Sequence, residues 1–521
     1  MTGRRDSTSA IGVTSLSDRH DRAGGQEMAE KESTKARTQP RKTAAKRARA
    51  GGKTQIKAWE EDPGAPGASV KPIARPVPAL DSAALPIAIS GSTPAAKTYN
   101  TGSSEFRYWT AAEALRRGAD LWSSVAPGLA WFSTVGPRLS VALDDGEDLN
   151  AYYDRRGLAF FHDRVDGQVV FSGESPDIAC HELGHAVLDA LRPQLFDTSF
   201  IEAAAFHESF GDMSAILAGL QLESVRSAIL AETGGNLYRA SRLSRVAEQL
   251  GWAIGTSRPD AVDSDCLRNA VNSFFYEPPE TLPPLAPANR LSSQPHSFSR
   301  LFTAAFLESL AGMFRLRATS DEANLHQASL DIARLLVEAI GASPIVPAYF
   351  SQLAAHMIQA DAAQFGGKHG DALKAAFTKR GILSLESVNL VSLASKGRSV
   401  SPIGVAAAGA RGAVKREYTV AVPGANYGLN EDLLVPAPAE TKQFGVAGAA
   451  AETGTVASPS HDRAARAFVE DLFRRGRVDT SSAGAVQATG GLRPAKRTHE
   501  IQREERGLVL ARRFFDCGLL D

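Results

Sequence analysis

The string His181-Glu182-Leu183-Gly184-His185 sets two imidazoles four residues apart, with a carboxylate beside the first. On a helix, positions four apart share a face, so both imidazoles can meet a single ion. Neutral imidazole nitrogen suits Zn²⁺, which in catalytic sites takes three protein ligands and keeps a fourth position for water. Glu182 can reach that water and take its proton. A surface turn of helix carrying two histidines would give the same five letters. The neighbours argue for burial instead: Ile178, Ala179, Cys180, Leu183, Ala186, Val187 and Leu188 make the helix apolar nearly all round. Burying two histidines and a glutamate without a partner is costly, and a metal supplies the partner.

A third ligand is then required. After a break at Arg192-Pro193, a second helical run carries His207-Glu208-Ser209-Phe210-Gly211-Asp212. Either His207 or Glu208 can close the site, but consecutive helical residues point about 100° apart, so both do not face one ion. Asp212, one turn beyond Glu208, is placed to receive the outer N–H of a metal-binding histidine, which fixes tautomer and ring direction.

These residues resemble the thermolysin-like gluzincin zinc metallopeptidases, in which a His-Glu-x-x-His helix is followed by a helix bearing Glu-x-x-x-Asp, here Glu208 and Asp212. The resemblance spans roughly residues 100 to 383. LNAYYDRRGLAFFHDRVDGQVVFSGESPD is similar to the family's edge strand, hairpin and approach to the zinc helix, and AYFSQLAAHMIQADAAQFGGKHGDALKAAFTKRGI to its closing helices. The resemblance implies that Asn150 and Ala151 hold substrate as an added strand, a role an edge strand can fill through its unpaired backbone groups. It implies that Arg268 donates to a substrate carbonyl. His296, in PHSFSRLFTAAF, would stabilise the developing oxyanion. Leu267 and Ile178 would line an apolar pocket for the residue following the cut.

Two features depart from the family pattern. The acid that orients the active-site histidine is missing, with Leu291-Ser292-Ser293 in its place, and the tyrosine that is a second oxyanion donor falls at Phe196 by spacing. Asp177 stands where the family often has a calcium ligand. The run AILAGLQLESVRSAILAE supplies only Glu223 and Glu232 beyond it, too few oxygens for calcium. Asp177 therefore reads as a helix N-cap, and calcium is not expected.

Formal charge is zero, from 58 basic and 58 acidic residues, so whole-chain charge points to neither nucleic acid nor membrane. Three cysteines do not make a disulfide framework and suit a reducing compartment. No apolar run approaches a membrane span, and no hydrophobic segment of a secretory signal follows the early arginines. A cytoplasmic location is expected on this basis. Residues 1–68 read as a disordered tail. Its basic stretch from Lys35 to Lys57 allows weak contact with a polyanion, although no aromatic residues are interleaved. Residues 69–98 read as a Pro-rich linker, with order beginning near Tyr99 and a helix opening at the capping box Thr110–Glu113. Leu139–Leu143 reads as a strand. Asp166-Gly167 reads as the turn between strands Leu158–His162 and Gln168–Phe171.

The expected fold is α+β and two-lobed. Residues 99–180 form an N-terminal mixed or β-rich lobe, 181–384 the zinc helix and a mostly helical lobe, and 385–521 an extension of unread function. The expected activity is zinc-dependent endopeptidase action on a protein or peptide. His181, His185 and Glu208 would hold one Zn²⁺, with Asp212 behind them. Glu182 would act as general base and His296 as oxyanion donor, while Asn150, Ala151 and Arg268 align substrate. Alternatives are a pseudo-peptidase that binds without cleaving, and a scaffold protein whose zinc is structural.

Overall fold

The computed structural model describes residues 54–396, 418–438, 460–483 and 497–518. Nearly all of the basic tail expected to contact a polyanion lies outside these residues. Strand β1 (Gln55–Ala58) pairs antiparallel with β2 (Ile73–Pro76), and β3 (Ile87–Ile89) follows. Structure thus begins inside the segments read as tail and linker, well before Tyr99. The reason is a packing partner some fifty residues on. Ile56 and Ala58 alternate with Gln55 and Lys57, and that alternation buries both apolar side chains against Tyr108, Trp109 and Ala112 of the next helix. Two apolar residues in a charged stretch are too few to register as a strand by themselves.

Helix α1 (Ser104–Val125) opens at Ser103, whose Oγ accepts the Phe106 N–H at 3.2 Å. The expected capping box at Thr110–Glu113 is mid-helix. Thr110 Oγ1 accepts the Trp59 N–H, while Glu113 pairs with Arg75 and Arg117. A Thr-x-x-Glu spacing serves a cap only where backbone N–H groups are free, and two turns into the helix they are not. Leu115, Ala119 and Trp122 do share the buried face.

Next come β4 (Leu139–Ala142), β5 (Ala151–Tyr153) and β6 (Gly157–Phe160), then the hairpin β7 (His162–Val165) and β8 (Gln168–Phe171). The hairpin turns at Asp166 (φ 46°) and Gly167 (φ 79°), the left-handed pair that matches strand twist. The strand entering it is His162–Val165, because Gly157–Phe160 belongs to another sheet. In that sheet β3, β4 and β6 run parallel, and β5 lies antiparallel beside β6.

Helix α2 (Pro176–Leu191) carries the His-Glu-x-x-His string. Its N-cap is Ser175, whose Oγ accepts the Ile178 N–H, with Pro176 preset in the first turn. Asp177 is therefore not the cap; its carboxylate accepts the Ala247 N–H at 3.0 Å. The short α3 (Gln194–Asp197) leads into α4 (Ile201–Gly219), buried along nearly its whole length. α2 and α4 meet closely because each has a glycine at the contact. A Cβ on Gly184 would lie 3.0 Å from the Gly211 Cα.

The remaining helices are α5 (Glu223–Thr233), α6 (Glu248–Ser257), α7 (Pro295–Arg315), α8 (Glu322–Ala342), α9 (Tyr349–Gln364), α10 (Gly370–Lys379) and α11 (Leu385–Lys396). A two-stranded pair, β9 (Arg245–Val246) with β10 (Arg268–Asn269), flanks α6. Further along, β11 (Thr419–Val422), β12 (Leu433–Pro436), β13 (Val478–Asp479), β14 (His499–Glu504) and β15 (Gly507–Arg512) form a second five-stranded sheet in the order β11-β12-β15-β14-β13. Helix α12 (His461–Arg474) buries Ala464, Phe468 and Leu472. The chain then crosses to the first sheet, where β16 (Phe515–Asp516) pairs antiparallel with β5. Buried apolar residues from Leu85 to Cys517 form one continuous cluster. The fold is α+β, and among the described residues no helix is long and apolar enough to cross a membrane.

Glu202, in the first turn of α4, ties this core together. Its carboxylate accepts the Tyr276 hydroxyl at 2.6 Å and the Phe350 N–H at 2.7 Å. Burial pushes the carboxyl up to about 8, against the pull of those two donors. Between the unfolded value near 4.5 and about 8, the folded chain holds a proton that the unfolded chain has lost. This group's contribution to stability therefore falls as pH rises through that window. Glu202→Gln can donate to Tyr276 and accept from Phe350 without ionising. Urea unfolding of the variant is expected to lose that part of the decline between about pH 5 and about pH 8, making it more stable than wild type by more than ~1 kcal/mol at the upper end. Equal pH slopes for the two proteins would contradict this account of Glu202.

Candidate metal centre and substrate cleft

α2 turns His181, Glu182 and His185 into a buried cluster whose ligand atoms lie within 4.8 Å of one another, a group that could hold a metal ion. Both histidine outer nitrogens are engaged. His181 Nδ1 is 3.0 Å from Asp212 Oδ1, and His185 Nδ1 is 3.3 Å from His207 Nδ1. The inner nitrogens, His181 Nε2 and His185 Nε2, are buried with no hydrogen-bond partner, as are Glu208 Oε2 and both oxygens of Glu182. Glu208 Oε2 stands 3.4 Å from His181 Nε2, and its Oε1 stands 3.9 Å from His185 Nε2. Three donors arranged tetrahedrally at zinc distances would be about 3.4 Å apart. Unpartnered inner atoms, engaged outer atoms and this spacing fit a divalent metal held by His181, His185 and Glu208.

The choice between His207 and Glu208 is settled by helix phase. His207 sits behind His185, stacked on Phe515 at 4.1 Å, and Glu208 faces inward. Asp212 takes the expected place behind His181, and Arg268 on β10 grips both of its oxygens, Nη2 to Oδ1 at 2.7 Å and Nε to Oδ2 at 3.0 Å. Burial works to raise the Asp212 carboxyl, but Arg268 and His181 outweigh it and hold it well below the usual range. For His181, burial favours the neutral ring, yet Asp212 and Glu208 together raise it to about 9. Burial pushes Glu182 up to about 8 and sends His185 and His296 well below the ordinary histidine value.

His296 stands in the first turn of α7, its Nε2 3.2 Å from Glu208 Oε2. The loss of the family's orienting acid does not leave the ring unsupported. Gln294, the N-cap of α7, accepts the Ser297 N–H through Oε1, so its amide nitrogen, 2.6 Å from His296 Nδ1, is a donor. His296 Nδ1 then accepts and Nε2 carries the proton. That Nε2–H donates to the Asp516 carbonyl at 2.5 Å. Phe196 brings no hydroxyl; its ring packs edge-on against Tyr153 and Phe515.

Arg268 is buried beside the cluster, with Nη1 lacking a hydrogen-bond partner. It reaches there because α6 lies against the 266–267 backbone at Gly251, where a Cβ would fall 2.2 Å from Leu267 N. A cavity of about 550 Å³ opens next to His296, with Leu267 and Arg268 on its wall. Of the two residues expected to line an apolar pocket, Leu267 is on this wall and Ile178 lies in the core; Leu285, Pro287 and Ala288 make the lining largely apolar, and Arg258, Asp260 and Arg300 add charge to it.

Ala151 opens β5, with Asn150 just before it, but that strand is not an edge. β16 covers it, in the register Phe515↔Tyr153 and Asp516↔Tyr152. Cys517 N–H donates to Ala151 O at 3.0 Å, and Gly518 N–H to Asn150 Oδ1 at 2.8 Å. Gln294, the His207 contact to His185 and the 515–518 segment are site features that motif reading passed over. Gly211, inside the quoted His207–Asp212 string, was the one visible hint of close packing on a histidine. No family model matches the chain, and no curated protein matches it.

A Cβ on Gly211 would fall 2.5 Å from His181 Nδ1. Gly211→Ala is therefore expected to turn the His181 ring and weaken divalent-metal affinity by roughly tenfold or more, with helix content by circular dichroism unchanged. Chelator competition reads the affinity, and an unaltered value would contradict the placement of His181 between Asp212 and the ion.

Proposed function

We propose that the chain is a zinc-dependent metalloendopeptidase of the thermolysin-like gluzincin type, with the β-rich lobe and the helical lobe meeting along α2. The observation that carries this reading is Glu182. Its carboxylate is fully buried, both oxygens lack partners, and it stands beside two inward-facing Nε2 atoms and Glu208. A structural metal has no use for such a group, whereas hydrolysis needs a base at that position.

Zinc, held by His181, His185 and Glu208, would supply Lewis-acid polarisation of the carbonyl and a lowered pKa for the attacking water. Glu182 takes the proton from that water and later delivers it to the leaving amine. His296 Nε2–H donates to the carbonyl oxygen as negative charge develops there. Asn150 and Ala151 hold the peptide in antiparallel register, and Arg268 Nη1 is a donor available to a second substrate carbonyl. Asp212 and His207 fix the two imidazole rings. Cys180, Cys266 and Cys517 are unpaired, in keeping with a reducing compartment. The missing hydroxyl at Phe196 favours one other reading, a peptide-binding protein with little turnover.

Wild type and Glu182→Gln separate the two when metal content and cleavage of a peptide library are measured together. Each should be assayed with the 515–518 segment in place and with it displaced by Gly518→Val, whose Cβ would fall 2.7 Å from Asn150 Oδ1. We expect stoichiometric zinc throughout and cleavage about 10²–10⁴-fold lower without Glu182. Metal in every form with cleavage in none would select the binding protein.

A further inference from the structure

We propose that the segment Phe515–Gly518 is a built-in occupant of the peptide cleft and that the Cys517 thiolate is a fourth ligand to the metal held by His181, His185 and Glu208. This rests on the metallopeptidase reading for the cleft, though not for the sulfur–metal bond.

The segment is bound as a peptide would be. It adds a strand to β5 and takes the two acceptors, the Ala151 backbone carbonyl and the Asn150 side-chain Oδ1, that a substrate strand would use. His296 Nε2–H donates to the Asp516 carbonyl, so the carbonyl that immediately precedes Cys517 lies on the oxyanion donor. Phe515 anchors the strand. Its ring stacks on His185 at 5.0 Å and on His207 at 4.1 Å, with Arg512 over it at 4.1 Å. Asp516 reaches back to Arg477, just before β13, at 3.4 Å. At Gly518, Asn150 leaves no room for a side chain.

Between Asp516 and Gly518, the Cys517 side chain is buried against Glu182. Neither Glu182 oxygen has a hydrogen-bond partner of regular geometry. Two imidazole nitrogens and carboxylate oxygens of Glu182 and Glu208 therefore converge without regular partners, and the Cys517 thiol lies against Glu182. The other two thiols are directed elsewhere, Cys180 Sγ to Ala114 O and Cys266 Sγ to Asp265. A thiol next to a dication is deprotonated on binding, and thiolate completes a tetrahedral zinc set. Binding releases the thiol proton, with Glu182 the nearest acceptor, and no bond other than S–H is broken. With the sulfur in the fourth position, no water reaches it, and turnover waits until a competing strand or a change in Cys517 moves the segment out.

Cobalt substitution of the full-length protein reads the bond directly. A thiolate-to-cobalt charge-transfer band is expected in the near ultraviolet for wild type, Cys180→Ser and Cys266→Ser. It should vanish in Cys517→Ser and weaken in Gly518→Val, with cobalt stoichiometry unchanged in all. Cys517 should react slowly with a thiol reagent when metal-loaded, and at least tenfold faster after chelation. Peptide cleavage by the zinc form should rise at least tenfold in Cys517→Ser. Bound cobalt without the band in wild type would overturn the proposal and leave the peptidase reading standing. A band that depends on Cys517, with no cleavage by any variant, would support the sulfur ligand and remove the peptidase reading. Failure of wild type to bind any divalent metal would overturn both.

Discussion

The site depends on the Asp212 carboxylate. It lies between His181 and Arg268 and so fastens α4, α2 and β10 to one another. A buried ion pair of this kind adds little net stability, because desolvation offsets the Coulomb gain. Removing one partner, however, leaves a buried charge and costs about 3–5 kcal/mol. The arrangement is therefore stiff more than it is strong, and stiffness is what a metal site requires of its surroundings. Gly184 and Gly211 make the geometry attainable, since a methyl group at either contact would separate α2 from α4 and take Asp212 out of reach of the ring.

The readable part of the site was the part carried by local spacing. Two histidines four apart, and a carboxylate pair four apart on the next helix, follow from helical periodicity, and both fall where that periodicity puts them. Whether His207 or Glu208 faced inward was a question of phase between two helices, which sequence alone does not fix. Gln294 gives no signal by type, because the residue that orients an active-site histidine is ordinarily an acid. An amide can do the same work here, since its oxygen is already committed to capping α7.

Misreadings of the fold have a common cause. The β1–β2 pair, the mid-helical position of Thr110 and the role of Asp177 all depend on partners distant in sequence. Trp59 supplies the donor to Thr110, and Ala247 supplies the donor to Asp177. A threonine followed by a glutamate three residues on, or an aspartate near a helix start, carries the same letters whether its partner is the local backbone or a backbone N–H many residues away. The same holds for β16, whose pairing with β5 joins positions far apart in sequence, and no periodicity in Phe515–Gly518 announces it.

Two unsatisfied features meet in one place. A β5 left at the edge of its sheet would expose a row of backbone donors and acceptors, which proteins ordinarily cover or blunt. Beside it, the metal cluster presents buried nitrogens and oxygens that have no partners in the helices that carry them. One segment answers both: its backbone completes the sheet at Ala151 and Tyr153, its carbonyl meets His296, and its thiol lies at Glu182. Any strand able to displace it must make those backbone bonds again, offer a carbonyl to His296 and replace the stacking of Phe515 on two histidines. On the peptidase reading, these are also the demands of a substrate. The segment's own sequence, an aromatic residue two positions before the residue at Glu182, is then a first template for what the cleft accepts.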